Sequence, residues 1–201
     1  MHRHLIAILR GITTDEAAAV CDALLSAGIS QIEIPLNSPD PMCTIEMMVK
    51  QYGADARIGA GTVLTCADVD MLAEIGAHMV ISPNMNPEVI ARTKQLGLMS
   101  CPGILTPTEG FAALAAGADM LKLFPADIVG PSGVKALRAV LPADVKLAAV
   151  GGVGPDKLSV WAEAGITAFA IGSSLYKPGT SSADVGTVAR QLVAEYDGLA
   201  R

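Results

Sequence analysis

Short apolar runs alternate along the chain with longer segments in which apolar residues recur with helical period. Residues such as Gly, Pro, Asn and Ser bound the apolar runs, which is typical of buried strands. The predicted strands are Leu5–Gly11, Gln31–Leu36, Arg57–Val63, Met79–Ser82, Met99–Leu105, Met120–Pro125, Lys146–Gly152 and Ala168–Ser173. The predicted helices are Thr14–Ala27, Pro41–Gln51, Cys66–Gly76, Asn86–Leu96, Thr108–Ala116, Ser132–Leu141, Lys157–Ala164 and Ser182–Leu199. Eight strand–helix units in this order predict a (β/α)8 barrel.

Residues that start and stop helices support this division of the chain. Thr13 or Thr14, and Thr65, precede helical segments and are candidate N-caps. Glycine directly follows a helical segment at five places, where a C-terminal cap is expected. These glycines are Gly28, Gly76, Gly97, Gly117 and Gly165.

The composition predicts one large aliphatic core. The chain has 201 residues, of which 51% are hydrophobic, 17% charged and 3% aromatic. Such a composition is typical of a parallel sheet covered by helices on both faces. We therefore expect residues 1–201 to form a single barrel domain. An open doubly wound sheet is the alternative, but it predicts a glycine fingerprint in the first strand–helix turn, and Arg10-Gly11-Ile12-Thr13 has none.

Charge and cysteine spacing argue against several classes of function. The formal net charge is -6 and there is no cluster of Lys and Arg, so nucleic acid is not an expected partner, whereas a small anion remains possible. The cysteines and histidines lack metal-ligand and CxxC spacing, so we expect neither a metal nor another cofactor. A signal-peptide pattern and an apolar run of membrane-spanning length are both missing, which predicts a cytoplasmic protein without membrane contact.

Three charged residues stand late in otherwise apolar strand segments. They are Arg10, Glu33 and Lys122. The C-terminal ends of barrel strands meet at one mouth, where active sites gather, so these side chains are expected to share a site with Thr62 and the turn Ser82-Pro83-Asn84. A desolvated amine favours its neutral form, which attacks carbonyl carbons. Two structural alternatives remain open: Lys122 extends to water or pairs with a carboxylate, or the trio is a structural ion network.

Small residues end the last two predicted strands. These are Gly151 and Gly152 on one strand and Gly172 and Ser173 on the other. Backbone amides without bulky side chains can approach phosphate oxygens closely, and the loops after strands 7 and 8 frequently hold phosphate in such barrels. A tight turn is the alternative explanation for Gly-Gly alone, but its occurrence beside Gly-Ser favours a phosphate site.

Four segments together carry a resemblance to a known family. They are Ile6-Ala7-Ile8-Leu9-Arg10-Gly11, Glu33-Ile34-Pro35-Leu36-Asn37-Ser38-Pro39, Gly59-Ala60-Gly61-Thr62-Val63 and Leu121-Lys122-Leu123-Phe124-Pro125. On these residues the chain resembles the class I 2-keto-3-deoxy-6-phosphogluconate and 2-keto-3-deoxy-6-phosphogalactonate aldolases. The resemblance runs from the first strand to Gly172-Ser173 and is closer to the galactonate branch.

The resemblance implies a metal-free (β/α)8 aldolase, often trimeric, that cleaves the phosphorylated keto-deoxy sugar acid to pyruvate and glyceraldehyde 3-phosphate. By this resemblance Lys122 forms a Schiff base, Glu33 transfers protons and Arg10 binds the substrate carboxylate. Thr62 is implied to assist at the carboxylate. The residues implied to bind the 6-phosphate are Gly151, Gly152, Gly172 and Ser173.

Two departures from the family pattern bear on the substrate. The gluconate branch typically has Thr-Gly-Gly where this chain has Val150-Gly151-Gly152, and the family often has Ser where this chain has Ala126. The rival functions are a gluconate-specific or dual-epimer aldolase with the same chemistry, a phosphate-binding barrel isomerase, and a non-catalytic sugar-phosphate-binding barrel.

Overall fold

The computed structural model describes residues 3–199, which contain nine strands and eight helices. The strands are β1 (Leu5–Ile8), β2 (Gln31–Pro35), β3 (Arg57–Gly61), β4 (Met79–Ile81), β5 (Met99–Cys101), β6 (Gly103–Ile104), β7 (Leu121–Leu123), β8 (Leu147–Val150) and β9 (Ala168–Ile171). The helices are α1 (Thr14–Ala27), α2 (Pro41–Tyr52), α3 (Cys66–Glu74), α4 (Pro87–Gln95), α5 (Pro107–Ala115), α6 (Ala126–Arg138), α7 (Leu158–Glu163) and α8 (Ser182–Asp197).

The strands form one parallel sheet in the order β5-β4-β3-β2-β1-β9-β8-β7-β6. The two terminal strands of that order, β5 and β6, are consecutive in sequence and only Pro102 separates them. Proline has no N–H for a strand ladder. The segment Met99–Leu105, predicted as one strand, is therefore two short strands, which together occupy the place of one strand in the barrel. The predicted (β/α)8 barrel is confirmed.

Helix ends agree with the expected caps. Thr65 Oγ1 accepts a hydrogen bond from the Asp68 N–H at 3.1 Å, and the Thr13 N–H donates to the Glu16 carboxylate at 3.2 Å. Thr13, and not Thr14, is therefore the N-cap of α1. The five predicted glycines all have positive φ, between 77° and 106°, which is the conformation of a helix-terminating glycine.

Helix α6 begins six residues earlier than predicted, at Ala126 instead of Ser132. Its first turn follows β7 directly, and Gly130, with φ 67° and ψ 171°, interrupts the helical geometry before Pro131. Glycine and proline end a helix in a sequence pattern. The helical turn between Ala126 and Gly130 is therefore too short to show a helical pattern of apolar residues in the sequence.

Two groups of buried apolar residues fill the molecule. The larger group lies between the sheet and the helices. The smaller group fills the barrel interior and consists of Ile6, Ile8, Met79, Ile81, Cys101, Met120, Ala148, Val150, Ala168 and Ala170. Ile8, Val150 and Ala170 of this group also line the cavity at the barrel mouth, so the packed interior is its floor.

Candidate active site

A cavity of about 430 Å³ opens at the C-terminal ends of the strands. The residues predicted for the site line it, except Ser82 and Asn84 of the turn after β4. Four contribute side chains and are called the side-chain group: Arg10, Glu33, Thr62 and Lys122. Four lie where β8 and β9 end and are called the main-chain group: Gly151, Gly152, Gly172 and Ser173.

Lys122 lies in the middle of β7, with only 5% of the residue exposed. Its register partners in the flanking strands are Gly103 and Ala148, two of the smallest residues, which leave space beside the amine. Nζ lies 5.0 Å from the centroid of the Phe124 ring, within the range of a cation–π contact. A buried amine at the cavity wall has the accessibility that attack on a bound carbonyl requires.

The Glu33 carboxylate is buried, and neither of its oxygens has a hydrogen-bond partner among the described residues. Burial raises the pKa of Glu33 above its ordinary value, while the charges of Lys122 and Arg10 act in the opposite direction. Partnerless buried carboxylates are costly in a fold. The arrangement is typical of a proton-transfer group whose partner is a substrate.

Gly61 makes room for this carboxylate. A Cβ at Gly61 would lie 1.9 Å from Glu33 Oε1, a distance that real atoms do not adopt. The next residue, Thr62, has φ 60°, which is unfavourable for a β-branched side chain. Backbone strain of this kind gathers at functional sites. The end of β3 is therefore shaped around Glu33 and the cavity.

Arg10 extends over the mouth and is exposed. Its Nη1 donates a hydrogen bond to Asn37 Oδ1 in the loop after β2. The next residues repeat the connection, because the Gly11 N–H donates to Ser38 Oγ at 2.9 Å. Two hydrogen bonds thus fix the loop after β1 to the loop after β2 and hold the guanidinium beside the cavity.

The main-chain group presents free backbone donors. Within residues 3–199, the N–H groups of Gly151, Gly152 and Ser173 donate no hydrogen bond. The Gly172 carbonyl accepts hydrogen bonds from the N–H groups of Leu175 and Tyr176, at 2.8 and 3.0 Å, and so closes a turn. Free amides at the start of such a turn can bind an anion, as a helix N-terminus does.

Gly151 and Gly152 have positive φ angles of 98° and 73°, which determine the backbone course of the first loop of this group, the loop after β8. A Cβ at Gly152 would lie 2.8 Å from Asp127 Cβ, so a side chain is excluded by contact as well as by conformation. Ser174 Oγ donates to the Val153 carbonyl at 2.9 Å and ties the second loop to the first.

Other residues of the cavity wall escaped the sequence-based prediction. They are Ile8, Gly11, Phe124, Val153, Ala170, Tyr176, Lys177 and Pro178, whereas Pro83 and Val150, which also line the cavity, were expected there or expected to bear on the substrate. Phe124 stands within a quoted motif, directly after the strand that carries Lys122, so its position could have identified it. Lys177 belongs to a loop, and only its closeness in sequence to Ser173 hinted at the site.

Cys101 lies in the barrel interior, and burial raises the pKa of its thiol to about 12. A thiol in this state is a poor nucleophile near neutral pH. The residue is therefore a small apolar part of the core.

Residues 3–199 lack two further features. No helix in this range has both the length and the apolar character of a membrane span. Within the same range there is no group of three or more His, Cys, Asp and Glu arranged to hold a metal ion.

Comparisons with known proteins agree on one family. Residues 1–190 match the family model "Aldolase: KDPG and KHG aldolase". The chain is 52% identical over 199 residues to a Rhizobium meliloti (strain 1021) protein named probable 2-dehydro-3-deoxy-6-phosphogalactonate aldolase, covering 99% of this chain and 94% of that protein. It is 48% identical to the 2-dehydro-3-deoxy-6-phosphogalactonate aldolase of Escherichia coli (strain K12), covering 96% and 94%.

A solved structure, "Native KDPGal structure", superimposes with a TM-score of 0.95 at 48% identity and covers 96% of this chain and 94% of its own. The chain is thus an aldolase, a lyase of class I. It belongs to the KDPG and KHG aldolase family.

Proposed function

We propose that the enzyme cleaves 2-keto-3-deoxy-6-phosphogalactonate to pyruvate and glyceraldehyde 3-phosphate through a Schiff base on Lys122. The observation that carries this proposal is a buried lysine facing the same cavity as a buried carboxylate that has no hydrogen-bond partner among residues 3–199. The names of the two relatives contain 2-dehydro-3-deoxy-6-phosphogalactonate, which is a synonym of 2-keto-3-deoxy-6-phosphogalactonate, and they support the galactonate epimer.

The first half of the reaction breaks the carbon–carbon bond. Lys122 Nζ attacks the C2 ketone, water leaves, and an iminium forms. Glu33 takes the proton of the C4 hydroxyl, the C4 oxygen becomes an aldehyde, and the C3–C4 bond breaks. The electron pair of that bond moves to the iminium and gives an enamine, while glyceraldehyde 3-phosphate departs.

The second half restores the enzyme. Glu33 returns the proton to C3 of the enamine, and water hydrolyses the resulting iminium to pyruvate and the free Lys122 amine. Arg10 binds the pyruvyl carboxylate through its planar guanidinium, with Thr62 at the same end. A carboxyl group with a raised pKa is a stronger base once ionised, which suits Glu33 for removing a hydroxyl proton.

The main-chain group is assigned to the 6-phosphate. Three free amides, those of Gly151, Gly152 and Ser173, are the donors that a phosphate dianion requires. Gly172 contributes indirectly: its carbonyl accepts the hydrogen bonds that close the turn, and this turn leaves the Ser173 N–H exposed. The apolar Val150 precedes this loop and lines the cavity, in the place where the gluconate branch typically has Thr.

The test compares the two C4-epimeric 2-keto-3-deoxy-6-phospho sugar acids side by side, with pyruvate release coupled to a dehydrogenase. The expected result is rapid cleavage of the galactonate and slower cleavage of the gluconate. Equal or reversed rates would keep the lysine chemistry and move the enzyme to the dual-epimer or gluconate type. Cleavage of neither epimer would contradict the proposed function.

We further propose a cytoplasmic homotrimer. Several large apolar side chains stand exposed on the surface of the barrel, among them Leu105, Phe111 and Ile128, the last with 75% exposure. Exposed apolar patches commonly mark contacts between subunits. Sedimentation equilibrium on the purified protein should give three times the chain mass, and a monomer mass would refute this assignment.

A further inference from the structure

The cavity carries a surplus of positive charge. The charged residues that line it are Arg10, Glu33, Lys122 and Lys177. The proposed mechanism uses the first three and leaves Lys177 without a role. Since the chain as a whole has a net charge of -6, a cation placed on the wall of the cavity calls for an explanation.

Lys177 directly follows the turn that exposes the Ser173 N–H. The hydrogen bond from the Tyr176 N–H to the Gly172 carbonyl, at 3.0 Å, brings the chain back to the start of the turn, and Lys177 is the next residue. A second turn holds its backbone: the Lys177 N–H donates to Thr180 Oγ1 at 3.1 Å, and the Thr180 N–H donates to the Lys177 carbonyl at 2.9 Å.

The Lys177 ammonium has no protein anion to neutralise it. Among residues 3–199, no carboxylate forms an ion pair with Lys177, whereas Lys50, Lys94 and two arginines do have such partners. Its side chain is exposed at the cavity wall and lies free to meet a ligand.

Two anionic groups of the substrate must be matched by the cavity. Arg10 is assigned to the carboxylate, and Lys122 is consumed in the Schiff base. The main-chain amides offer the phosphate dianion hydrogen bonds but no formal positive charge. A phosphate is bound most strongly where charge-assisted hydrogen bonds add to neutral ones.

We propose that Lys177 binds the substrate's phosphate as its cationic partner, beside the amides of Gly151, Gly152 and Ser173. This inference rests on the proposed function for the identity of the substrate, although the binding of phosphate itself can be tested without it. Lys177 then selects phosphorylated over unphosphorylated keto-deoxy acids.

The experiment measures two quantities in the wild type and in Lys177→Gln. The first is the ratio of kcat/KM for 2-keto-3-deoxy-6-phosphogalactonate to kcat/KM for unphosphorylated 2-keto-3-deoxygalactonate. The second is the affinity for inorganic phosphate, measured by calorimetric titration at low ionic strength. We expect both to fall about ten-fold, the size of one lost charge-assisted hydrogen bond. Lys177→Arg should retain most of both.

Lys157→Gln is the matched control, because Lys157 is an exposed lysine in the loop after β8 that does not line the cavity. It changes the net charge equally and should leave both quantities as in the wild type. If both quantities fell equally in Lys157→Gln and Lys177→Gln, the effect would come from the overall charge of the protein, and the proposal would be overturned.

Pyruvate distinguishes the two ends of the substrate. Borohydride trapping of pyruvate should saturate at the same pyruvate concentration in Lys177→Gln as in the wild type. Weaker pyruvate binding with undiminished phosphate affinity would assign Lys177 to the carboxylate and overturn the proposal. A wild type that binds phosphate through Lys177 but cleaves neither epimer would refute the proposed function while supporting the role of Lys177.

Discussion

The side-chain group and the main-chain group face the same cavity but are built in different ways. Lys122 and Glu33 are held by strands, buried, and surrounded by small neighbours such as Gly103 and Gly61. Gly151, Gly152 and Ser173 lie in loops and contribute backbone N–H groups. Side chains that react must be desolvated and precisely placed, whereas a phosphate that only anchors the substrate can be bound by amides near solvent. The comparison predicts that damage to the first group lowers kcat and damage to the second raises KM.

Lys122→Ala should have the largest effect. The amine that is proposed to form the covalent intermediate is removed, so cleavage should fall by about four orders of magnitude or more. Borohydride with labelled pyruvate should no longer modify the protein, as mass spectrometry would show. Lys157→Ala is the control and should label normally. Labelling of Lys122→Ala at another lysine in the barrel would assign the Schiff base elsewhere.

Glu33→Gln should lower kcat by about 10²–10⁴-fold, the usual contribution of a general acid–base group, with little change in KM. The amide keeps the shape of the side chain but cannot accept the C4 proton. Steady-state kinetics on the phosphorylated substrate separates the two parameters. A rise confined to KM would make Glu33 a binding residue and remove the contrast between the two groups.

The pH profile follows from the environment of Glu33. Because burial raises its pKa, the carboxyl group keeps its proton to higher pH than a free carboxyl group does. The proposed reaction needs the ionised form as base, so kcat/KM, which reports the pKa values of the ligand-free enzyme, should decline as pH falls through this raised pKa. The decline should disappear from the residual activity of Glu33→Gln. Its persistence would attribute the acidic limb to another group.

The side-chain group could be predicted from sequence because a charge inside an apolar run is conspicuous. Arg10, Glu33 and Lys122 interrupt patterns that otherwise predict buried strands, and the barrel fold then brings strand ends together. The glycines of the main-chain group were predictable by position, since they end consecutive strands. In both cases a regular element fixes where the residue lies.

Residues outside regular elements could not be placed in this way. Lys177 reaches the cavity because the Gly172 carbonyl closes a turn, and Asn37 meets Arg10 because two loops are fixed to each other. These are tertiary events without periodic signal. The early start of α6 at Ala126 was missed for a related reason, because Gly130 and Pro131 hide the turn that precedes them.

Gly152→Ala tests the main-chain group itself. With φ at 73° and a Cβ only 2.8 Å from Asp127 Cβ, the loop must shift, and its amides with it. Strain of about 1–2 kcal/mol predicts a KM for the phosphorylated substrate about ten-fold higher, with pyruvate trapping retained.

Gly97→Ala is the matched control, because Gly97 has φ 77° and open space around it, far from the cavity in the loop after α4. It should lose a similar amount of stability and keep the wild-type KM. An unchanged KM in Gly152→Ala, or a fall in kcat alone, would mean that the Gly-Gly turn does not contact the phosphate.

The smallest effect is expected for Asn37→Ala. Asn37 lies in a loop, as the main-chain group does, but it positions a charged residue of the side-chain group, Arg10. Asn37→Ala removes the oxygen that accepts the hydrogen bond from Arg10 Nη1, and Arg10 is exposed, so the guanidinium regains freedom that substrate binding must again remove. The loss of one exposed hydrogen bond predicts a KM about three-fold higher at unchanged kcat. The pyruvate concentration that gives half-maximal trapping should also rise about three-fold, because pyruvate contains the carboxylate that Arg10 is proposed to bind.

Ser38→Ala is the control. It removes the neighbouring hydrogen bond, from the Gly11 N–H, and leaves that of Arg10 intact, so it separates loop attachment from guanidinium positioning. A similar rise in Ser38→Ala would show that the loops act as one unit, whereas an effect of Asn37→Ala on kcat without one on KM would remove Asn37 from the carboxylate site.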